Sequence, residues 1–166
     1  MDETSIFRWD TIREVGPETL PFPAPIAGLT LEIELTSGSR IKVFRADDGA
    51  FYFCHGLTFG GKNAPGGAVS PYSGKAVTTI LADFFKRVVP EANAIAGDIV
   101  VWYDLDGPSH SAILVKPIAA AHEDRLDYSS VLRSKNGYYP EATVTLQALV
   151  EEPGDYGETY VIYRRR

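Results

Sequence analysis

From Leu29 the chain alternates. Leu29, Leu31, Ile33 and Leu35 fall on one face of an extended segment, with Thr30, Glu32 and Glu34 on the other. That is the two-residue period of a strand with one buried face. Ser37-Gly38-Ser39 is a turn signal, after which Ile41, Val43 and Phe44 resume the extended pattern up to Asp47-Asp48-Gly49. Residues 28–49 therefore predict a β-hairpin. Ahead of it, residues 1–27 hold a short amphipathic start (Ile6, Phe7, Trp9, Ile12) and a connector with Pro17, Pro21, Pro23 and Pro25. Rings without an N–H at that density argue against helix and central strand, and predict a segment wrapped on the surface.

After the hairpin the pattern changes. Residues 50–60 are apolar and aromatic around Cys54, and residues 61–75, rich in Gly, Pro, Ser and Asn, read as a loop. Val77, Ile80, Leu81, Phe84, Phe85, Val88 and Val89 recur at helical spacing, predicting a helix over 77–89 that Pro90 stops. Strands are expected at Ile99–Tyr103, Ser109–Val115, Ser129–Arg133 and Tyr160–Tyr163, with a short helix over 144–150. Ala96-Gly97-Asp98 and Asp104-Leu105-Asp106-Gly107-Pro108 are turns. The two aspartates of the second turn resemble a calcium loop only superficially, because Pro108 follows and no Glu stands at the required spacing. Strands and helices are segregated rather than alternating, which predicts an α+β fold. With no internal repeat and no clean linker, residues 1–166 read as a single domain, its core in residues 50–166.

A chain of 166 residues with 45% hydrophobic and 23% charged positions can bury a sizeable core. Its formal net charge of −6 repels phosphate backbones, so nucleic acid is not an expected partner. The run Arg164-Arg165-Arg166 reads as a solvated tail. No stretch is apolar enough for a membrane span. Met1-Asp2-Glu3-Thr4-Ser5 has neither the basic segment nor the apolar run of a signal peptide, so the expected location is cytoplasmic, or exported by a signal-peptide-independent route. The single cysteine excludes an intramolecular disulfide and a Cys-rich metal site, and neither metal nor cofactor is expected. Composition does not address the oligomeric state.

That cysteine changes the picture. A thiol attacks a carbonyl as thiolate, and its pKa falls at a helix start beside an imidazolium. In Cys54-His55-Gly56-Leu57 an extended aromatic run leads into a helix, and Gly56 removes a side chain where a substrate or a facing strand must approach. Backbone N–H groups at that helix start would also suit an oxyanion. Of the three histidines, His55 adjoins the thiol in sequence and its ring would point away from it on a helix, so packing or lining a pocket is its expected role. His122 lies in the polar link Ala121-His122-Glu123-Asp124. His110 heads a strand, with Ser109 and Ser111 as small neighbours that leave room for a substrate, and is the candidate base. Tyr52 and Trp102 read as core or cleft wall, and the Tyr52 hydroxyl could reach the thiol. Asp98 is read as fixing its turn rather than as an acid. Against this stands Cys54 as a buried structural thiol.

Three segments carry a family resemblance: Cys54-His55-Gly56, then Ala96-Gly97-Asp98-Ile99-Val100-Val101-Trp102, then Ser109-His110-Ser111-Ala112-Ile113-Leu114-Val115. In this order they resemble the signatures of the NlpC/P60 cysteine peptidases, over about residues 51–136. Phe53 stands where many members carry Asp, and His55 where many carry a small residue. The resemblance implies a papain-like fold, with a Cys-bearing helix packed on an antiparallel sheet that bears the His. It also implies hydrolysis of an amide bond in a peptide or cell-wall fragment, often a peptidoglycan stem peptide. A third polar residue would orient His110 from the end of the next strand. Asn136 and Ser134 are the candidates, with Asn136 slightly favoured by analogy to the Cys-His-Asn arrangement. Lys135 between them offers no acceptor. Other readings are a binding module that retains the fold without catalysis, and acyl transfer through the same thioester. An acyltransferase of the lecithin–retinol type is disfavoured, because there the His strand precedes the Cys.

Overall fold

The computed structural model describes residues 5–21 and 24–166. The chain divides into two compact units, residues 1–83 and 84–166, a boundary that falls within the segment expected to form the core. The architecture is α+β, with two antiparallel sheets and few, short helices.

The first unit holds the sheet β1 (Phe7–Leu20), β2 (Ile26–Leu35) and β3 (Arg40–Ala46), in that order. The β2–β3 hairpin follows the alternation. Leu31, Ile33 and Leu35 are buried, Glu32 and Glu34 face the opposite way, and Gly38 takes a positive φ in the turn. The segment before it corrects the sequence reading. It is no surface wrap but a strand of 14 residues that pairs with β2 and contains Pro17. On the edge of a sheet a residue without an N–H is tolerated, and β1 is further broken by bulges between Arg8 and Arg13 and between Glu14 and Gly16. Pro23, and residues 1–4 of the acidic N-terminus, lie outside the described residues.

Two helices follow, α1 (Cys54–Thr58) and α2 (Gly74–Phe84). The Ser73 hydroxyl caps α2 by accepting from the Ala76 N–H at 3.1 Å, and the helix buries Ala76, Val77, Ile80 and Leu81. It ends five residues earlier than the apolar spacing predicts. Phe85–Arg87 forms instead the short strand β4 of the second unit, and the Val88 N–H continues toward the same neighbouring strand by donating to the Ile162 carbonyl at 2.9 Å. Ladder pairing overrode a helical pattern in a stretch whose β-branched and aromatic residues suit a strand equally well.

The second unit continues with β5 (Ile99–Asp104), β6 (Gly107–Lys116), β7 (Val131–Ser134), β8 (Ala142–Thr145), α3 (Leu146–Val150) and β9 (Tyr160–Arg165). The sheet order is β4-β9-β5-β6-β7-β8, every neighbouring pair antiparallel. One face carries Val100, Trp102, Ala112, Leu114, Leu132 and Ile162, which pack with Leu146 and Leu149 of α3. Burying each such leucine stabilises the unit by about 2 kcal/mol. The C-terminal arginines are not a solvated tail. Arg164 and Arg165 belong to β9, and Arg164 grips the buried carboxylate of Asp98. Asp98 also accepts from the Ile95 N–H at 2.9 Å, the turn-fixing bond expected of it. Asp104 likewise closes its own turn by accepting from the Asp106 N–H at 2.8 Å. Among the described residues no helix is long and apolar enough to cross a membrane.

Candidate functional site

Cys54 opens α1 directly after an extended residue, Phe53, whose φ and ψ are −97° and −179°. The thiol is partly exposed. The entry is held from behind, where the Phe53 N–H donates to the Ser70 hydroxyl at 2.8 Å and Ser70 itself bridges to β3 at Phe44. Gly56 is required by this approach. A Cβ there would lie 2.6 Å from Ser70 Oγ, 2.9 Å from the Val69 carbonyl oxygen and 3.1 Å from Tyr52 Cβ. The facing segment anticipated at Gly56 is thus Val69–Ser70. The N–H groups of Gly56 and Leu57 both turn back to the Phe53 carbonyl, at 3.0 and 3.2 Å, which removes them from any oxyanion role.

The other residues expected around the thiol separate by environment. His55 is 4% exposed and lies beside Phe59, with ring centroids 6.0 Å apart. Burial disfavours its charged form and pushes its pKa down to about 4. It is therefore neutral at physiological pH and behaves as a packing residue. Tyr52 is half-buried, its ring facing the Lys62 ammonium at 5.9 Å.

In the second unit His110 sits on β6, paired with Trp102 of β5. Both rings lie on the α3 side of the sheet, with centroids 5.5 Å apart. Strand alternation turns Ser111 toward the opposite face from His110, while Ser109 is the extra residue of a bulge between the Trp102 and Tyr103 pairings. Ser109 is exposed and reaches the Trp102 carbonyl at 3.3 Å, whereas Ser111 is wholly buried.

Both candidates for the third residue are engaged, in series. His110 Nε2 lies 3.1 Å from Ser134 Oγ, and Ser134 Oγ donates to Asn136 Oδ1 at 2.6 Å. The direction of the second bond decides the first. An amide oxygen only accepts, and a serine has one hydrogen to give. Ser134 therefore accepts from His110, so Nε2 carries a proton. Of the two candidates, Ser134 is in contact with His110 and Asn136 stands behind it in a relay. Lys135 is 6% exposed and donates to the Gly137 carbonyl at 2.5 Å, bracing the turn that holds Asn136.

Two neighbours of the candidate residues, one in each unit, were not singled out from sequence. Ser70 lay in a stretch read only as loop. Tyr156 stacks on the His110 imidazole with ring centroids 3.7 Å apart and planes within 4°. Its one sequence signal is an aromatic residue inside the turn Gly154-Asp155-Tyr156-Gly157. Among the described residues no group of three or more His, Cys, Asp and Glu is placed to hold a metal ion. No family model, curated protein or solved structure matches this chain.

Proposed function

We propose that this chain is a papain-like cysteine hydrolase that cleaves an amide bond in a peptide or cell-wall fragment, with Cys54 as nucleophile and His110 as base. The observation that carries the reading is the His110–Ser134–Asn136 relay, which fixes the tautomer of an imidazole as a general base requires. A partly exposed thiol at the start of a helix, entered through an extended residue, is the complementary half.

In this mechanism Nδ1 takes the thiol proton and the sulfur forms a bond to the carbonyl carbon. The tetrahedral intermediate collapses as the C–N bond breaks, and the proton on Nδ1 passes to the departing amine. Water then attacks the thioester, giving its proton to Nδ1. The C–S bond breaks, releasing a carboxylic acid, and the proton returns to sulfur. The relay keeps Nε2 protonated throughout, so His110 alternates between imidazole and imidazolium without turning.

One observation favours the second reading, a binding module without catalysis: His110 is 2% exposed and Tyr156 covers one face of its ring. A single experiment separates the two. Alkylation of Cys54 by iodoacetamide is followed against pH in the wild type and in His110→Ala. A hydrolase predicts fast reaction well below pH 8 that falls by at least about tenfold in the variant. Equal rates in both proteins, or an inert thiol, would remove the dyad and leave the binding module.

A further inference from the structure

The fold delivers one aromatic ring to His110 by a route that uses several otherwise unexplained features of the second unit. After α3 the chain doubles back. The Gly154 N–H donates to the Ala148 carbonyl at 2.9 Å, the Tyr156 N–H to Leu149 at 2.9 Å and the Gly157 N–H to Val150 at 3.0 Å. The turn is tight enough that a Cβ on Gly154 would lie 2.7 Å from the Ala148 carbonyl oxygen and 2.8 Å from Leu149 Cα. Gly157 has a φ of +86°, open to glycine at little cost. Its carbonyl accepts from Trp102 Nε1 at 2.9 Å, which ties the turn to β5, the strand paired with His110. Tyr156 emerges from this anchored turn parallel to the imidazole.

We infer that Tyr156 is a positioning residue for His110, its ring face setting the plane of the imidazole while Ser134 sets the rotation within that plane. The inference rests on the proposed role of His110 as base. The two constraints are complementary. A hydrogen bond to Nε2 still allows the ring to tilt about the axis through the bond, and a stacked neighbour forbids the tilt. A stacked face alone leaves the flip that exchanges Nδ1 with Cδ2, and the Nε2 bond forbids the flip. Together they hold Nδ1 in one direction. An aromatic face also attracts the ring when it becomes a cation, so the contact persists in both protonation states.

The alternative is that Tyr156 merely fills space. Stacking needs the flat ring and not the hydroxyl, so Tyr156→Phe and Tyr156→Leu separate the roles. The readout is the pair of ring ¹⁵N signals of His110 in the full chain, above the titration of the ring. The wild type and Tyr156→Phe are expected to show one tautomer, protonated at Nε2, with ring C–H protons shifted upfield by the stacked face. Tyr156→Leu is expected to keep the Nε2 tautomer, since Ser134 still accepts that proton, but to show ring signals broadened by tilting of the imidazole and Cys54 alkylation slowed about tenfold, while Tyr156→Phe stays within about twofold of wild type. A wild-type pattern in Tyr156→Leu would overturn the inference. So would a wild-type spectrum without upfield shifts, an arm that stands even if the leucine variant fails to fold. If alkylation ignores His110→Ala while the ring signals broaden in Tyr156→Leu, the dyad fails and the positioning contact survives.

Discussion

Arg164 holds Asp98 through two bonds, Nε on Oδ1 at 2.8 Å and Nη2 on Oδ2 at 2.8 Å. The carboxylate is 2% exposed and heads β5, while the guanidinium comes from the last strand of the chain. The pair joins the turn before β5 to β9 at its side, and the same guanidinium reaches the Asn93 carbonyl at 3.1 Å.

Breaking that pair from one side leaves a buried carboxylate without its counter-charge. Arg164→Ala is expected to lower the Tm by about 5 °C or more, whereas Arg165→Ala next to it changes it by less than half as much. Thermal unfolding monitored by circular dichroism checks this, and a Tm unchanged in Arg164→Ala would mean that the pair contributes nothing to stability.

His55 makes stability depend on pH. Its folded pKa, near 4, lies below the ordinary value of 6.5, because burial opposes the charged ring. The unfolded chain therefore binds the proton first. The full contribution is present above about pH 6.5, declines as the pH falls, and is lost below about pH 4, a loss on the order of 3 kcal/mol. His55→Gln is expected to flatten the acid limb of the stability curve across that window. Urea midpoints measured between pH 4 and pH 7 decide it, and parallel curves for the two proteins would show that His55 is not what titrates.

Gly56→Ala places a methyl group 2.6 Å from Ser70 Oγ and 2.9 Å from the Val69 carbonyl. Two of the three neighbours belong to a segment pinned to β3, so relief comes by displacing the start of α1. A destabilisation of about 1–3 kcal/mol is expected, together with a change in the alkylation rate of Cys54. An alanine variant as stable as the wild type would mean that the Val69–Ser70 segment yields freely.

Ser134→Ala removes the acceptor of a proton on a buried ring nitrogen, at a cost of about 1–3 kcal/mol. If His110 serves Cys54, the alkylation rate near neutral pH falls with it, and Ser134→Thr, which keeps the hydroxyl, retains most of both. A stability loss without any change in the alkylation rate would make the relay structural only.

Much of the second unit was legible in advance. The strands at Ile99 and Ser109 and the short helix near residue 146 are bounded by turn residues and built from apolar runs, so local chemistry and burial agree. The same holds for the β2–β3 hairpin, where the two-residue period leaves one register that buries Leu31, Ile33 and Leu35. Where the pattern had two solutions, the reading went astray. Phe84 to Val89 is spaced for a helix and composed for a strand, and pairing with β9 made it one beyond Phe84. Pro17 argued against a strand because sequence does not say which strand lies at an edge.

The candidate site divides in the same way. Residue type and order singled out Cys54, His110, Ser134 and Asn136 as candidates, since thiol, imidazole, hydroxyl and amide chemistry is intrinsic to the side chain. The order of the relay, the proton on Nε2, the burial that keeps His55 neutral and the ring of Tyr156 over His110 were decided only by the tertiary structure. Each depends on a contact between residues distant along the chain. A hydrogen bond's direction and a pKa are properties of the neighbours a group acquires on folding, and those neighbours are set by packing of the whole unit rather than by any local pattern.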